Sequence, residues 1–212
     1  SNTAIDSKIQ KFSQDDIKAA FAYSFSKNGQ TFVGFTFPQL TIEYNIISNK
    51  WNERKSQIVN SKGLTESIRW RVNSLVTAYG RLIVFDSQDG RIGELDTETY
   101  TEYNRVIIRK FSTFTIFNDE SSFTIPEIEL TMESGVGNAA QPNPRIRLST
   151  SRDDKKFNDP IPRFVGAEGD GEARQIWKRA GRFPRMCICL FEFSDPCKFA
   201  VLKLGMRIRG GV

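Results

Sequence analysis

From residue 21 the chain alternates apolar and polar positions in short runs broken by turn residues, the period-two signature of half-buried strands. Phe21-Ala22-Tyr23-Ser24-Phe25 alternates, Asn28-Gly29 is a strong hairpin turn, and residues 31–37 form a second apolar run ended by Pro38. Residues 41–46 and 51–55 supply two more strands, making a four-stranded antiparallel unit. The same signals return 51 residues later. Gly29 is echoed by Gly80, Phe32-Val33 by Ile83-Val84, and Glu43-Tyr44-Asn45 by Glu94-Leu95-Asp96. A strand-built repeat of about 50 residues is the period of a kelch-like propeller blade. One blade cannot bury both faces of its sheet, and two are too few to close a ring. The pattern therefore predicts a mainly β chain: β-propeller-like blades forming a partial propeller, followed by a β-rich C-terminal module.

The remaining elements are read from the same signals. Ser13 is placed to cap one short helical turn, the only helical pattern in the opening segment. Residues 56–67 are polar and read as a loop. The second repeat is expected as strands at 68–78, 81–85, 92–95 and 100–103, with a turn at Asp89-Gly90. Longer strands follow at 105–117 and 123–132. The run Gly135-Val136-Gly137-Asn138-Ala139-Ala140-Gln141-Pro142-Asn143-Pro144 is the expected internal boundary, since its Gly, Pro and Asn density disfavours regular structure. The organisation that results is an N-terminal segment 1–20, two blades with following strands over 21–134, a linker loop 135–144, and a basic module 145–212. Within that module strands are expected at 145–149, 176–180, 185–193 and 199–208.

Composition narrows the chemistry. Seventeen Phe against three Met suit a core of stiff aromatics on strands. Mean hydropathy is −0.41, and no apolar run approaches the roughly 18–20 residues of a membrane-spanning helix. The start, Ser1-Asn2-Thr3-Ala4, lacks an initiator Met and reads as a processed or trimmed end. The absence of histidine removes Ser-His-Asp and Cys-His catalysis, and a metal centre of the usual ligands is not expected. Cys187 and Cys189 alternate within an apolar run and, with Cys197, read as reduced core residues. The net charge of +5 is uneven: residues 141–212 hold 15 Lys/Arg and 8 Asp/Glu, leaving the rest of the chain slightly acidic. The second half is therefore the candidate for an anionic partner.

The run from Gly29 to Pro38, then Trp51-Asn52-Glu53-Arg54-Lys55-Ser56, resembles the packaged-DNA stabilisation proteins, the tail accessory factors of short-tailed bacteriophages. Further pieces keep the family's order: Asp89-Gly90-Arg91-Ile92-Gly93-Glu94-Leu95-Asp96, Gly135-Val136-Gly137, Ile146-Arg147-Leu148-Ser149, Ser151-Arg152-Asp153, Trp177-Lys178-Arg179-Ala180-Gly181 and Ser194-Asp195-Pro196. Within Ser151-Arg152-Asp153-Asp154-Lys155-Lys156-Phe157 the chain departs from the family at Asp154-Lys155, where two glycines are usual, and it corresponds to the later part of such a protein. The resemblance implies a non-enzymatic virion protein, made in the host cytoplasm. It would assemble as a homo-oligomeric ring beneath the portal, meet portal and tail adaptor proteins, lie near packaged DNA and hold the genome inside.

Read as residues alone, Ser151 and Asp153 suit a structural hairpin turn of Asp-box type, in which the carboxylate accepts backbone N–H bonds. Glu168, Asp170 and Glu172 lie in a loop whose spacing fits neither a glycosidase pair nor a calcium loop, and a solvated turn is favoured. Gly135-x-Gly137 lacks the strand-to-helix context of a dinucleotide fingerprint. Arg174, Lys178, Arg179, Arg182 and Arg185, with Trp177 and Phe183 among them, form the densest basic-aromatic stretch. It reads as a charged strand face, a protein interface or a DNA contact. No catalytic, metal-binding or cofactor-binding residues are assigned. The alternative function is a carbohydrate-binding or glycan-processing propeller.

Overall fold

The computed structural model describes residues 3–118 and 121–210. Among these, strands dominate and helix is confined to two short segments, α1 (Thr3–Ile9) and α2 (Gln14–Lys18). The chain divides into two compact units, Ser1–Thr97 and Glu98–Val212.

In the first unit, β1 (Phe21–Lys27), β2 (Gln30–Thr36), β3 (Thr41–Asn45), β4 (Lys50–Val59) and β5 (Thr65–Arg69) form one antiparallel sheet in sequence order. A second sheet follows from β6 (Val72–Ala78), β7 (Arg81–Asp86) and β8 (Ile92–Glu94). β6, β7 and β8 begin 51 residues after β1, β2 and β3 respectively, so the sequence echo is a structural one. The first hairpin of each repeat turns on two consecutive left-handed residues, Asn28-Gly29 and Tyr79-Gly80. That backbone matches the twist of the flanking strands.

Tyr23 and Phe25 of β1 and Phe32 of β2 pack against Trp70, Val72, Leu82 and Val84, so one face of the first sheet buries one face of the second. Close approach is required at Gly34, where a Cβ would fall 2.0 Å from the Tyr23 ring. That ring's hydroxyl donates to the buried Glu43, 3.2 Å away, which also takes the Arg54 Nε at 2.8 Å. The Arg54 guanidinium lies 4.5 Å from the Trp70 ring centroid. Arg71 and Asp86 form a second buried ion pair, closed by two hydrogen bonds.

Several expectations change here. The polar stretch 56–67 is mostly strand: β4 runs on to Val59, β5 starts at Thr65, and only 60–64 turns. The Asn60 side chain organises that turn by accepting from the Lys62 and Leu64 N–H groups, each at 2.9 Å. Polarity misled because this hairpin has few buried positions. The strand expected over 68–78 is broken at the buried Trp70-Arg71, where the chain passes from one sheet to the other. The fourth strand of the second repeat is absent from its sheet. β9 (Thr101–Glu102) falls at the expected offset but pairs with β10 (Arg105–Val106). Tyr103 and Asn104, both with positive φ, make a tight turn that sends the chain back on itself. Ser13 caps α2 as expected, in a reciprocal box with Asp16. α1 was not foreseen.

The second unit is a two-layer β structure around one core. β11 (Arg109–Ser112), β12 (Ile116–Phe117), β14 (Arg145–Ser151), β15 (Ile161–Phe164) and β17 (Met186–Phe193) make one sheet, ordered β11-β17-β14-β15 with β12 also on β17. β13 (Phe123–Met132), β16 (Gln175–Phe183) and β18 (Val201–Gly210) make the other, with β13 central. Cys187, Cys189, Phe191 and Phe193 point inward from β17, opposite Ile128 and Leu130 of β13 and Trp177 of β16. All three cysteines are free and buried. The long strand expected over 105–117 is instead three short ones. β15 escaped notice because Pro162 suppresses a strand reading, yet an edge strand tolerates proline. The 135–144 loop lies inside this unit; the division falls near residue 97 instead, since β13 before the loop pairs with β16 and β18 after it.

Candidate docking surface

Pro126 sits in the middle of the central strand β13, where it cannot donate to a ladder. Both neighbours adjust: the register of β16 shifts between Ile125 and Glu127, and that of β18 between Thr124 and Glu127. On β16 two residues, Arg179 and Ala180, stand opposite the single Pro126, and Arg179 takes a positive φ of 55°. The bulge decides which basic residues share a face. Phe183 and Trp177 both point into the core, with Arg182 and Lys178 on the outer side next to them.

Arg174, Lys178 and Arg182 therefore share the outer face of this sheet. Lys178 lies opposite Glu127 and Arg182 opposite Thr124. Arg174 holds Glu129 through its Nε and Nη2, at 2.9 and 2.7 Å. Arg179 is exposed at the bulge and falls outside this alternation, and Arg185 is exposed in the turn after β16. From the far side, β18 adds Lys203, Arg207 and Arg209, opposite Thr131, Glu127 and Thr124. Arg207 approaches Glu127 at 3.5 Å. Six exposed cations thus flank two half-buried carboxylates on one sheet face. The β18 cations were missed in the sequence, although Lys203, Arg207 and Arg209 are all of one parity; what was lacking was the pairing of β18 with β13.

The aromatic residues do not join this surface. Trp177 and Phe183 are buried, and the Trp177 indole N–H donates to the Ile161 carbonyl at 2.8 Å. Neither ring is available to stack on an unpaired base, so the surface offers charge without aromatic platforms.

Two family models match the chain, bacteriophage P22 Gp10 β-propeller over residues 1–100 and bacteriophage P22 Gp10 β-sandwich over residues 108–209. Together they span nearly all of it. The chain belongs to the P22 Gp10 family. It is a bacteriophage virion structural protein of the stabilisation type, with propeller and sandwich portions that coincide with its two units. No curated protein matches the chain.

The turn in which this member departs from the family's glycines keeps a tight geometry. The Asp153 carboxylate accepts from the N–H groups of Lys155 and Lys156, at 3.0 and 2.9 Å, and from the Ser151 hydroxyl at 3.1 Å. The Lys156 and Lys155 N–H bonds hold the Asp153 carboxyl below its ordinary range. Asp154 carries a φ of 62°, taking the left-handed conformation a glycine would otherwise supply. Asp153 is thus occupied in shaping the turn. The acidic loop is likewise anchored: Ser134 donates to the Gly171 carbonyl at 2.8 Å, while Glu168, Asp170 and Glu172 all remain exposed. Among the described residues no group of three or more His, Cys, Asp or Glu is arranged to hold a metal.

Proposed function

We propose that the chain is a non-enzymatic part of the phage tail that docks below the portal, closes the DNA exit channel and so stabilises the packaged genome. It would be made in the host cytoplasm and enter the virion as a ring of identical copies. Cyclic assembly requires a heterologous interface, one patch meeting a different patch on the next copy. The observation that carries the reading is the cationic outer face of β16, β13 and β18, presented by a sheet whose other face is sealed in a core. Such a rigid charged face suits an acidic patch on a tail or portal protein. The central Glu127 and Glu129 would oppose a continuous phosphate backbone, and the inward Trp177 and Phe183 leave no stacking platform.

The test replaces Lys178, Arg182 and Arg207 by Glu together and follows incorporation into tails in an assembly reaction, alongside duplex DNA binding at increasing salt. The expected result is loss of incorporation with the weak DNA affinity little changed. Tight duplex binding at physiological salt, lost in the triple variant and weakening by about one logarithmic unit per tenfold rise in salt for each phosphate contact, would make the surface a DNA contact instead.

A further inference from the structure

In the second unit the two layers are sealed along one corner by side chains that bridge β15 and β16. The Arg163 Nε donates to the Ile176 carbonyl at 2.6 Å, the Trp177 indole N–H to the Ile161 carbonyl at 2.8 Å, and the Gln175 amide to the Phe164 carbonyl at 3.1 Å. Among the described residues this seal ends with Trp177, which reaches the first residue of β15. Past it a cleft of about 380 Å³ opens between the 150–158 turn and β16, lined in part by Arg152, Lys156, Phe157, Asn158, Ala180 and Gly181.

One wall of the cleft is a strand edge. β16 is the outer strand of its sheet, so the side of its backbone turned away from β13 pairs with no strand. From Gly181 to Phe183 it runs in regular register with β13, and among the described residues nothing bonds to its outer edge there. Such an edge presents N–H and C=O groups in the spacing of another extended backbone. The opposite wall supplies charge. Arg152 and Lys156 are exposed, and among the described residues neither forms an ion pair. Asp153 shares that wall, but its Oδ1 is taken by the N–H groups of its own turn. The Asn158 Oδ1 accepts from the Thr150 hydroxyl at 3.2 Å, which leaves the Asn158 amide N–H groups as donors toward the cleft. Phe157, half-buried, adds an apolar surface.

We propose that this cleft binds an extended acidic segment of a partner protein. The backbone of that segment adds to the β16 edge over residues 181–183, and one of its carboxylates is held by Arg152 and Lys156. A peptide fits better than a nucleic acid, because a phosphate backbone only accepts hydrogen bonds and would leave the β16 carbonyls without donors. Three residues of regular edge supply few backbone bonds, so the charge contact selects the segment. Arg152 and Lys156 stand on the turn after β14, in the layer opposite the cationic face of β16, β13 and β18. Failure of the cleft therefore leaves the docking role of that face standing, and the reverse holds.

Nuclear magnetic resonance titration of the full chain tests this, with a capped heptapeptide of alternating valine and glutamate as the probe and its valine–lysine counterpart as the control. The glutamate peptide should shift the amide signals of residues 152–158 and 181–183, and should slow hydrogen exchange of at least one amide within 181–183. The lysine peptide should leave them unmoved. Arg152→Glu combined with Lys156→Glu should weaken binding at least about tenfold. Both side chains are exposed and only the Lys156 backbone serves the turn, so this variant keeps its fold. Saturating glutamate peptide that leaves residues 181–183 unshifted would overturn the proposal, as would binding that survives the double substitution. A single-stranded oligodeoxynucleotide that shifts the same signals at lower concentration than the glutamate peptide would make the cleft a nucleic-acid contact and overturn it too.

Discussion

In the sandwich, Phe123, Ile128, Ile146, Phe191 and Phe193 are wholly shielded from solvent, and two sheets close on each other with aliphatic, aromatic and cysteine side chains. In the blade unit the central apolar cluster is smaller, and its neighbours are charged: Glu43 with Arg54 and Tyr23, Arg71 with Asp86. One architecture satisfies itself within a single chain. The other is a segment of a stack, so each sheet has a face for the sheet before it and a face for the sheet after it. Function divides the same way in this account: the closed unit is a rigid support that presents charge, and the open unit is built to be continued.

The sharpest test of that contrast is truncation. Trp177→Ala empties the sandwich core and should cost about 3–5 kcal/mol, read as a fall in the denaturant midpoint of the second unit. Ile92→Ala, at a position of the second sheet that is 68% exposed, should change stability by under about 0.5 kcal/mol. Similar losses at both sites would erase the distinction. A somewhat smaller effect is expected from Arg71→Met, which strands the Asp86 carboxylate in a buried site. The loss should be about 3 kcal/mol, the low end for a broken buried pair, because Arg91 lies 4.0 Å from that carboxylate. A neutral Arg71→Met would show that the polar blade core tolerates apolar replacement as the sandwich core would.

The smallest effect concerns pH. Because its carboxyl is depressed in the folded state, the Asp153 turn contributes its full stability above the ordinary carboxylate range and loses it as pH falls below that range. The protection of the Lys155 and Lys156 amides from hydrogen exchange, taken relative to their intrinsic rates, should fall in that window and at no higher pH. Asp153→Asn should flatten this dependence, since an amide keeps an acceptor oxygen but does not titrate. Unaltered pH dependence in the variant would remove the turn from the acid response.

Much of this was legible in the sequence. The repeat could be read because hairpin turns demand particular residues, and Gly29 and Gly80 mark them at a constant spacing. Strand β13 was read with its true ends, since Phe123, Ile125, Ile128, Leu130 and Met132 are all core residues. The end of the second repeat was not legible, because Tyr103 in a left-handed turn carries no local signal of that conformation. The candidate surface was half visible. Arg174, Lys178 and Arg182 stood out as a cluster along the chain, but Lys203, Arg207 and Arg209 reach it only through a pairing between distant strands. The bulge that excludes Arg179 depends on Pro126 in a different strand, a relation invisible to a local reading.

Electron cryo-microscopy of assembled particles, with this chain located in the map, would show where the cationic sheet face lies and what it meets. A ring of copies at the tail vertex below the portal is expected, with the outer face of β16, β13 and β18 against a protein neighbour rich in acidic residues. Particles that carry the chain elsewhere, or with that cationic face open to solvent, would contradict it.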